Sequence, residues 1–269
     1  MSIMEKRLRL ESMVRGLESV VVAFSGGVDS ALVAAVAHRI LGKNALAVTA
    51  RSNSFPKREL VQAKSIAKEI GIKHYIIFTD EMKNPEYMGN SIDRCFHCKV
   101  ELYKCLHRIA KEQKFRHIVN GVNSDDLDDY RPGISAAREV GIRTPLSDAG
   151  MNKEDTRALA RELGLSMADK PASACLSSRI PYGQSITPEK LSMIEKAEDF
   201  LLDFGFTQLR VRHHGDIARI ELLPEEIPHF FIGEIANSTE NRFRELGFKF
   251  VAIDTKGYRT GSLNEVLEK

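Results

Sequence analysis

The sequence predicts an α/β protein built on a parallel sheet, with a smaller α+β module behind it. Three observations carry this expectation. Short apolar, β-rich runs alternate with helical stretches over the first 165 positions, the first run ends in a Ser-Gly-Gly loop that opens directly into a helix, and beyond residue 186 the alternation gives way to a helix, a strand–turn–strand and a second helix. Strands alternating with helices argue for right-handed βαβ units and a sheet covered on both faces.

Taken in order, the N-terminal MSIMEKRLRLESMVRGLE has the spacing of an amphipathic helix and lacks the apolar core of a signal peptide. SVVVAF (19–24) is the first strand, and ALVAAVAHRIL (31–41) is a helix. ALAVTA (45–50), a helix over 57–70, HYIIFTD (74–80), a helix over 96–112 and HIVNGV (117–122) continue the pattern. NKEDTRALARELG (152–164) starts on an Asn cap and closes at Gly164. Residues 165–186 are irregular. A helix over 188–204 follows, then QLRVRHH and IARIELL joined by a turn at Gly215-Asp216, a helix near 233–246 and a last strand, FKFVAID (248–254). The expected division is a first domain over 1–175 and a second over 176–269.

Of the 269 residues 43% are hydrophobic, and 39 basic against 37 acidic side chains leave a net charge of +2. That balance does not favour a long nucleic acid as partner. No apolar run approaches the roughly 18 residues of a membrane span. A cytoplasmic location is the default, and there four cysteines are not expected to be disulfide staples.

Ser25-Gly26-Gly27-Val28-Asp29-Ser30 stands between the first strand and its helix. Adjacent glycines let the backbone approach an anion, and the helix start directs N–H groups at it. Ser25 and Ser30 add hydroxyls, and Asp29 is placed to hold Mg2+. A Walker loop needs a lysine that this segment lacks, so the usual cradle for the β- and γ-phosphates is excluded.

SGGVDS in this context resembles the loop of the N-type ATP pyrophosphatases, which have an adenine nucleotide alpha hydrolase-like fold. RSNSFPKREL (51–60), DRCFHCK (93–99), NGVNSDDLDDYRPG (120–133), KPASACLSSRIPYG (170–183) and GYRTGSLN (257–264) narrow the resemblance to the LarE family of sulfur transferases. The resemblance implies cleavage of ATP between its α- and β-phosphates. It also implies adenylylation of a carboxylate on a pyridinium biscarboxylic acid mononucleotide, then sulfur transfer, in nickel-pincer nucleotide synthesis. ATP is expected on Ser25, Gly26, Gly27, Asp29 and Ser30, with its AMP half near Ser52. Asn123, Asp125 and Asp126 follow the strand 117–122 at the same sheet edge, where they would order ATP or metal or merely cap the loop.

Cys175 stands where family members carry the reactive cysteine. Some members sacrifice its sulfur and keep dehydroalanine, and others carry a [4Fe–4S] cluster on three cysteines. Here Cys95 and Cys98 form a Cys-x-x-Cys pair that a sacrificial enzyme does not need. With Cys175 as third ligand, one iron would stay open for the transferred sulfide. A zinc site completed by two more ligands such as His97 or His107, a redox pair, and unrelated buried cysteines are the rival readings of that pair. Cys105 reads as a small core residue. Arg210 and Arg212 alternate with apolar residues on one strand, which puts both on one face, and with Arg179 and Arg259 they are candidates for an anionic substrate. A solvated basic strand face is the rival reading of Arg210 and Arg212, and His213 and His214 read as surface or turn residues. A small mononucleotide, an upstream sulfide donor and a homo-oligomeric assembly are the expected partners. The enzyme rival is tRNA thiolation. A glutamine-dependent amide synthetase and a nucleotide sensor without catalysis are the others.

Overall fold

In the computed structural model the described residues are 1–127, 136–137, 139–171 and 173–266. They fall into two compact units: Met1–Tyr87 with Asp93–Ser173, and Met88–Ile92 with the chain from Ala174 onward.

In the first unit β1 (Val20–Ala23), β2 (Ala45–Arg51), β3 (Lys73–Phe78) and β4 (His117–Val119) make a parallel sheet in the order β3-β2-β1-β4. The strands are apolar on both faces because both faces are covered. Val20, Val22, Ala45 and Ala47 pack with the helices Ile3–Gly16, Val28–Leu41, Lys57–Ile70 and Lys153–Glu162. Val21, Leu46 and Val48 point the other way, into Tyr103, Leu106 and Ala110 of the helix Arg94–Glu112. Burying each such valine or leucine contributes about 1.5–3 kcal/mol. Two helices begin on reciprocal capping boxes, Ser2 with Glu5 and Asn152 with Asp155. The expected strand 117–122 ends earlier, at Val119, because the Val122 N–H turns back to donate to the Asn120 side chain, 3.1 Å away.

In the second unit β5 (Leu209–His214) and β6 (Ile217–Leu222) form the expected antiparallel hairpin, and β7 (Phe250–Ile253) joins β6 in parallel. The helix Pro188–Asp203 starts on Thr187, whose side chain accepts from the Lys190 N–H, and buries Ala197 and Leu201 with Val211, Ile220, Phe243 and Phe248. Met88–Ile92 belongs here through Asn90, which is fully buried at a φ of 54°. Its Nδ2 donates to the carbonyls of Ile180, Pro181 and Gln184 at 3.2, 2.8 and 3.0 Å. Five residues carry no readable periodicity, so the sequence gives no sign of this excursion.

His213 departs from the expectation of a surface or turn residue. β5 carries its alternation through to residue 213, so Leu209, Val211 and His213 all face the interior, and the imidazole packs against Phe248 with centroids 5.4 Å apart. Burial, and then Lys190, lower its pKa. Burial, and then Lys64, do the same to His74, whose Nε2 lies 2.8 Å from the Thr49 hydroxyl. His214 is lowered too, first by burial.

A histidine kept neutral by folding contributes stability that is complete above its unfolded pKa of about 6.5 and is lost as pH falls below it. Thermal melts should therefore show Tm dropping between about pH 7 and pH 5.5, by a few degrees for each kcal/mol lost. His213→Phe should flatten that slope while keeping the pH 7 Tm within a few degrees. A slope equal to that of the parent protein would place the titration elsewhere.

Candidate active site

All four strands of the first sheet end at one edge. The chain runs from β1 outward to β3 and then returns to β4 on the other flank of β1, so the order reverses between β1 and β4. Loops at such a reversal splay apart and leave a crevice for ligands. The glycine loop and the segment after β4 are those two loops.

Gly26 has a φ of +78°, and a Cβ there would lie 2.8 Å from the Ala63 Cα, so both conformation and packing demand glycine. Gly27 is the N-cap of the helix Val28–Leu41 and brings no side-chain cap, which leaves the first-turn N–H groups to an external acceptor. Ser30 ties the loop together. Its hydroxyl accepts from the Ser25 N–H at 3.2 Å and donates to the Gly27 carbonyl at 3.0 Å. The Ser25 hydroxyl lies 3.2 Å from that of Ser30 on an exposed residue.

Asp29, on the first helical turn, is held from two sides. Asn123 Nδ2 donates to one carboxylate oxygen at 3.1 Å, and the Lys153 ammonium donates to the other at 2.5 Å. Asp125 accepts from the Lys153 N–H at 2.9 Å, and its own N–H donates to Asn123 Oδ1 at 3.0 Å. The structure therefore brings Asn123 and Asp125 to Asp29, while Asp126 accepts from the Asn123 N–H. Part of the NGVNSDDLDDYRPG segment, residues 128–133, lies outside the described residues, as does Ala172 of the KPASACLSSRIPYG segment. Lys153 is the residue that sequence reading missed. In the sequence it reads as part of an ordinary helix start, and only the meeting of segments distant in sequence shows its role. Gly121 was missed as well: a Cβ there would lie 2.6 Å from the Ser30 nitrogen and 2.8 Å from the Asp29 carbonyl carbon.

Ser52 follows β2 at the same edge, its hydroxyl 3.0 Å from that of Ser54. Ser54 donates to the buried Glu81 at 2.8 Å, and Thr79 donates to the other oxygen of Glu81 at 3.1 Å. A buried carboxylate thus braces the loops after β2 and β3.

Cys95 and Cys98 lie in the opening turn of the helix Arg94–Glu112, three residues apart and so on one face, Cys95 exposed and Cys98 half-buried. Two thiolates so placed suit two of three cluster ligands, and Cys175 lies on the other unit. Among the described residues, no three His, Cys, Asp or Glu side chains are gathered to hold a metal ion. Cys105 is the expected small core residue, with burial pushing its thiol pKa up.

Of the four arginines expected to face an anion, Arg179, Arg212 and Arg259 are committed to carboxylates. Arg179 is 2% exposed and pairs through Nε and Nη2 with Glu198, both at 2.9 Å. Arg212 is buried and pairs through Nε and Nη2 with the buried Glu221 at 3.0 and 2.8 Å, and reaches the Ser262 hydroxyl at 2.6 Å. The solvated strand face is thereby excluded for Arg212. Arg210 is half-buried over the Tyr258 ring, 5.0 Å from its centroid, and its pKa is lowered by burial first and then by Arg179. Arg259 pairs with Glu265 at 2.8 Å and Asp254 at 3.2 Å, which raises its pKa. Cys175 is half-buried and leads into the 3-10 turn Leu176–Arg179, making no side-chain cap bond.

A parallel sheet with a lysine-free glycine loop at its order reversal defines an ATP pyrophosphatase, an enzyme. The family model for NAD synthase matches residues 2–88. An uncharacterized protein of Synechocystis sp. is 46% identical over 94% of this chain and 94% of its own length. The pyridinium-3,5-bisthiocarboxylic acid mononucleotide synthase of Lactiplantibacillus plantarum is 38% identical over 98% of this chain and 95% of its own. A tRNA-specific 2-thiouridylase of Rickettsia africae is 28% identical over 58% of this chain and 52% of its own length. The chain belongs to the LarE family, that of the Lactiplantibacillus plantarum synthase.

Gly121→Ala should push the second loop off the first. We expect ATP affinity, measured by calorimetry, to fall about tenfold or more, the equivalent of 1.4 kcal/mol. Gly16→Ala, where a Cβ meets nothing within 4 Å, should leave it unchanged. Equal affinities in the two variants would show that the close approach is unimportant for binding.

Proposed function

We propose that this enzyme makes a thiocarboxylate on a pyridinium biscarboxylic acid mononucleotide, as a step of nickel-pincer nucleotide synthesis. The observation that carries the reading is the group around Asp29. A glycine loop without lysine is joined there by a lysine from the start of the helix Lys153–Glu162 and an amide from the segment after β4. The near-complete overlap with the Lactiplantibacillus plantarum synthase supports the substrate.

A carboxylate oxygen of the substrate attacks the α-phosphorus of ATP. The bond from that phosphorus to the bridging oxygen breaks, and pyrophosphate leaves. Ser25, Gly26, Gly27 and Ser30 hold the departing phosphates through backbone and hydroxyl donors. Asp29 would hold Mg2+ against them, and the Lys153 ammonium on the same carboxylate marks it as a cation partner. Lys153 is then released toward the phosphates. Ser52, braced by Ser54 and Glu81, lies beside the AMP half. Sulfur adds next to the acyl carbon, and the bond from that carbon to the AMP oxygen breaks. A carboxylate cannot expel oxide, so adenylylation is what makes the exchange possible.

Cys175 is the residue at which sulfur is delivered. Cys95, Cys98 and Cys175 would hold a [4Fe–4S] cluster, which when bound supplies a sulfide replenished by an upstream donor. The thiol character of all three and the shared face of Cys95 and Cys98 support this.

Phosphorus NMR should show AMP and pyrophosphate from Mg2+-dependent turnover, and ADP as the main product would overturn the loop assignment. Asp29→Asn and Lys153→Ala should each slow substrate-dependent exchange of pyrophosphate into ATP about 100-fold. For the sulfur source, mass spectrometry after many turnovers should find Cys175 intact, and anaerobic protein should contain about four irons. Cys95→Ala should lose iron and sulfur transfer together. Dehydroalanine at position 175, with Cys95→Ala active for one turnover, would replace the cluster by sacrifice of Cys175. Thiolation of bulk tRNA would remove the mononucleotide from the reading.

A further inference from the structure

The Arg179–Glu198 pair is buried in the second unit, and nothing in the adenylylation chemistry uses it. Its geometry is lopsided. Nε and Nη2 are spent on Glu198, which is itself fixed because one of its oxygens accepts from the Val211 N–H of β5 at 2.9 Å. The remaining fork nitrogen, Nη1, turns back along the chain and donates to the carbonyls of Ala174 and Cys175 at 2.8 and 3.0 Å, and to the Ser178 hydroxyl at 2.9 Å.

The Cys175 carbonyl therefore accepts three hydrogen bonds: from Arg179 Nη1, from the Ser178 hydroxyl at 2.8 Å and from the Ser178 N–H at 3.0 Å. A second arginine closes the far side of the turn, since Arg212 Nη1 donates to the Ser178 carbonyl at 2.5 Å while its other nitrogens hold Glu221. The four residues 175–178 are gripped at both ends by guanidiniums anchored in the helix–sheet core. The Cys175 side chain takes no part in capping the turn. Its backbone is fixed while its thiol stays uncommitted to the turn. Two buried ion pairs are an expensive way to stabilise a fold, because apolar residues of the same size often do as well. Fixing a reacting atom is a use for which apolar residues cannot substitute, since misplacement by an ångström costs about 100-fold in rate.

We propose that Arg179, anchored by Glu198, is the positioning residue for Cys175, and that it acts by clamping the carbonyls of Ala174 and Cys175 instead of binding substrate. The proposal rests on the reading of Cys175 as the site of sulfur delivery. Arg179 touches neither the substrate nor the reacting atoms. It sets the direction in which the Cys175 Cα–Cβ bond leaves the backbone.

The test uses the full-length enzyme with two variants. Arg179→Lys keeps the charge and loses the fork. Arg179→Met combined with Glu198→Gln removes both charges and keeps an acceptor for the Val211 N–H, so that no orphaned ion remains to unfold the unit. Sulfur transfer from the preformed adenylate should fall about 100-fold in both, with KM for the mononucleotide and pyrophosphate exchange within about threefold of the parent. Hydrogen–deuterium exchange at the Ser178 amide should become at least tenfold faster in both. Normal sulfur transfer in the double variant would make the pair a stability element only. A parallel loss of pyrophosphate exchange would make Arg179 a substrate ligand. Unchanged exchange at the Ser178 amide would overturn the clamp whatever the activity. If Cys175→Ala itself transfers sulfur normally, the assignment of Cys175 fails, while the amide exchange still judges the clamp.

Discussion

The first unit depends on two places where backbone touches backbone with no room for a Cβ. Gly26 lies against Ala63 of the helix Lys57–Ile70, and Gly121 lies against Ser30 and Asp29. Together they press the loop after β1 between the helix that follows β2 and the segment that follows β4. The glycine loop is therefore shaped from outside as much as by its own conformational freedom. Asp29 is where the pressure converges, because the segment that packs on it also supplies Asn123. The turn carrying Asp125 holds Lys153 at the start of the helix Lys153–Glu162. A parallel sheet whose order reverses at β1 is what makes these sequence-distant groups neighbours.

The second unit is organised by charge in its interior. Glu198 and Glu221 reach inward from a helix and a strand, and each takes a guanidinium in a two-pronged geometry. Removing one partner of such a pair leaves an uncompensated buried charge, which is costly. Arg179 and Arg212 are for this reason parts of the framework, and Arg210 lies over the Tyr258 ring beside them. Burial would lower the Arg179 pKa, and the Glu198 carboxylate overrides that effect and keeps it raised.

The similarities cover different shares of the chain. The NAD synthase model covers residues 2–88, where the glycine loop, β1, β2 and β3 lie. The thiouridylase relative aligns with 58% of the chain, and the mononucleotide synthase with 98%. The excursion of Met88–Ile92 into the second unit, directly before Cys95, means that the chain leaves one unit for the other close to each of the cysteines in question.

Sequence alone determined the α/β class, the parallel sheet, the seven strands and the longer helices of the described residues, because apolar runs bounded by glycine and capping residues are local signals. It also located the glycine loop, Cys175 and the Cys95–Cys98 pair, since those motifs are contiguous. Cys105 was legible as core from its place on a helix. Tertiary structure alone decided the fate of isolated side chains. Lys153 looked like any helix-start lysine until the fold brought Asp29 to it. Gly121 looked like a turn residue until Ser30 was packed against it. Strand alternation put Arg210 and Arg212 on one face but did not show that Glu221, opposite Arg210 on β6, pairs with Arg212, or that His213 continues the buried face. A side chain's role follows from the groups that surround it, and those come from positions that local periodicity does not connect.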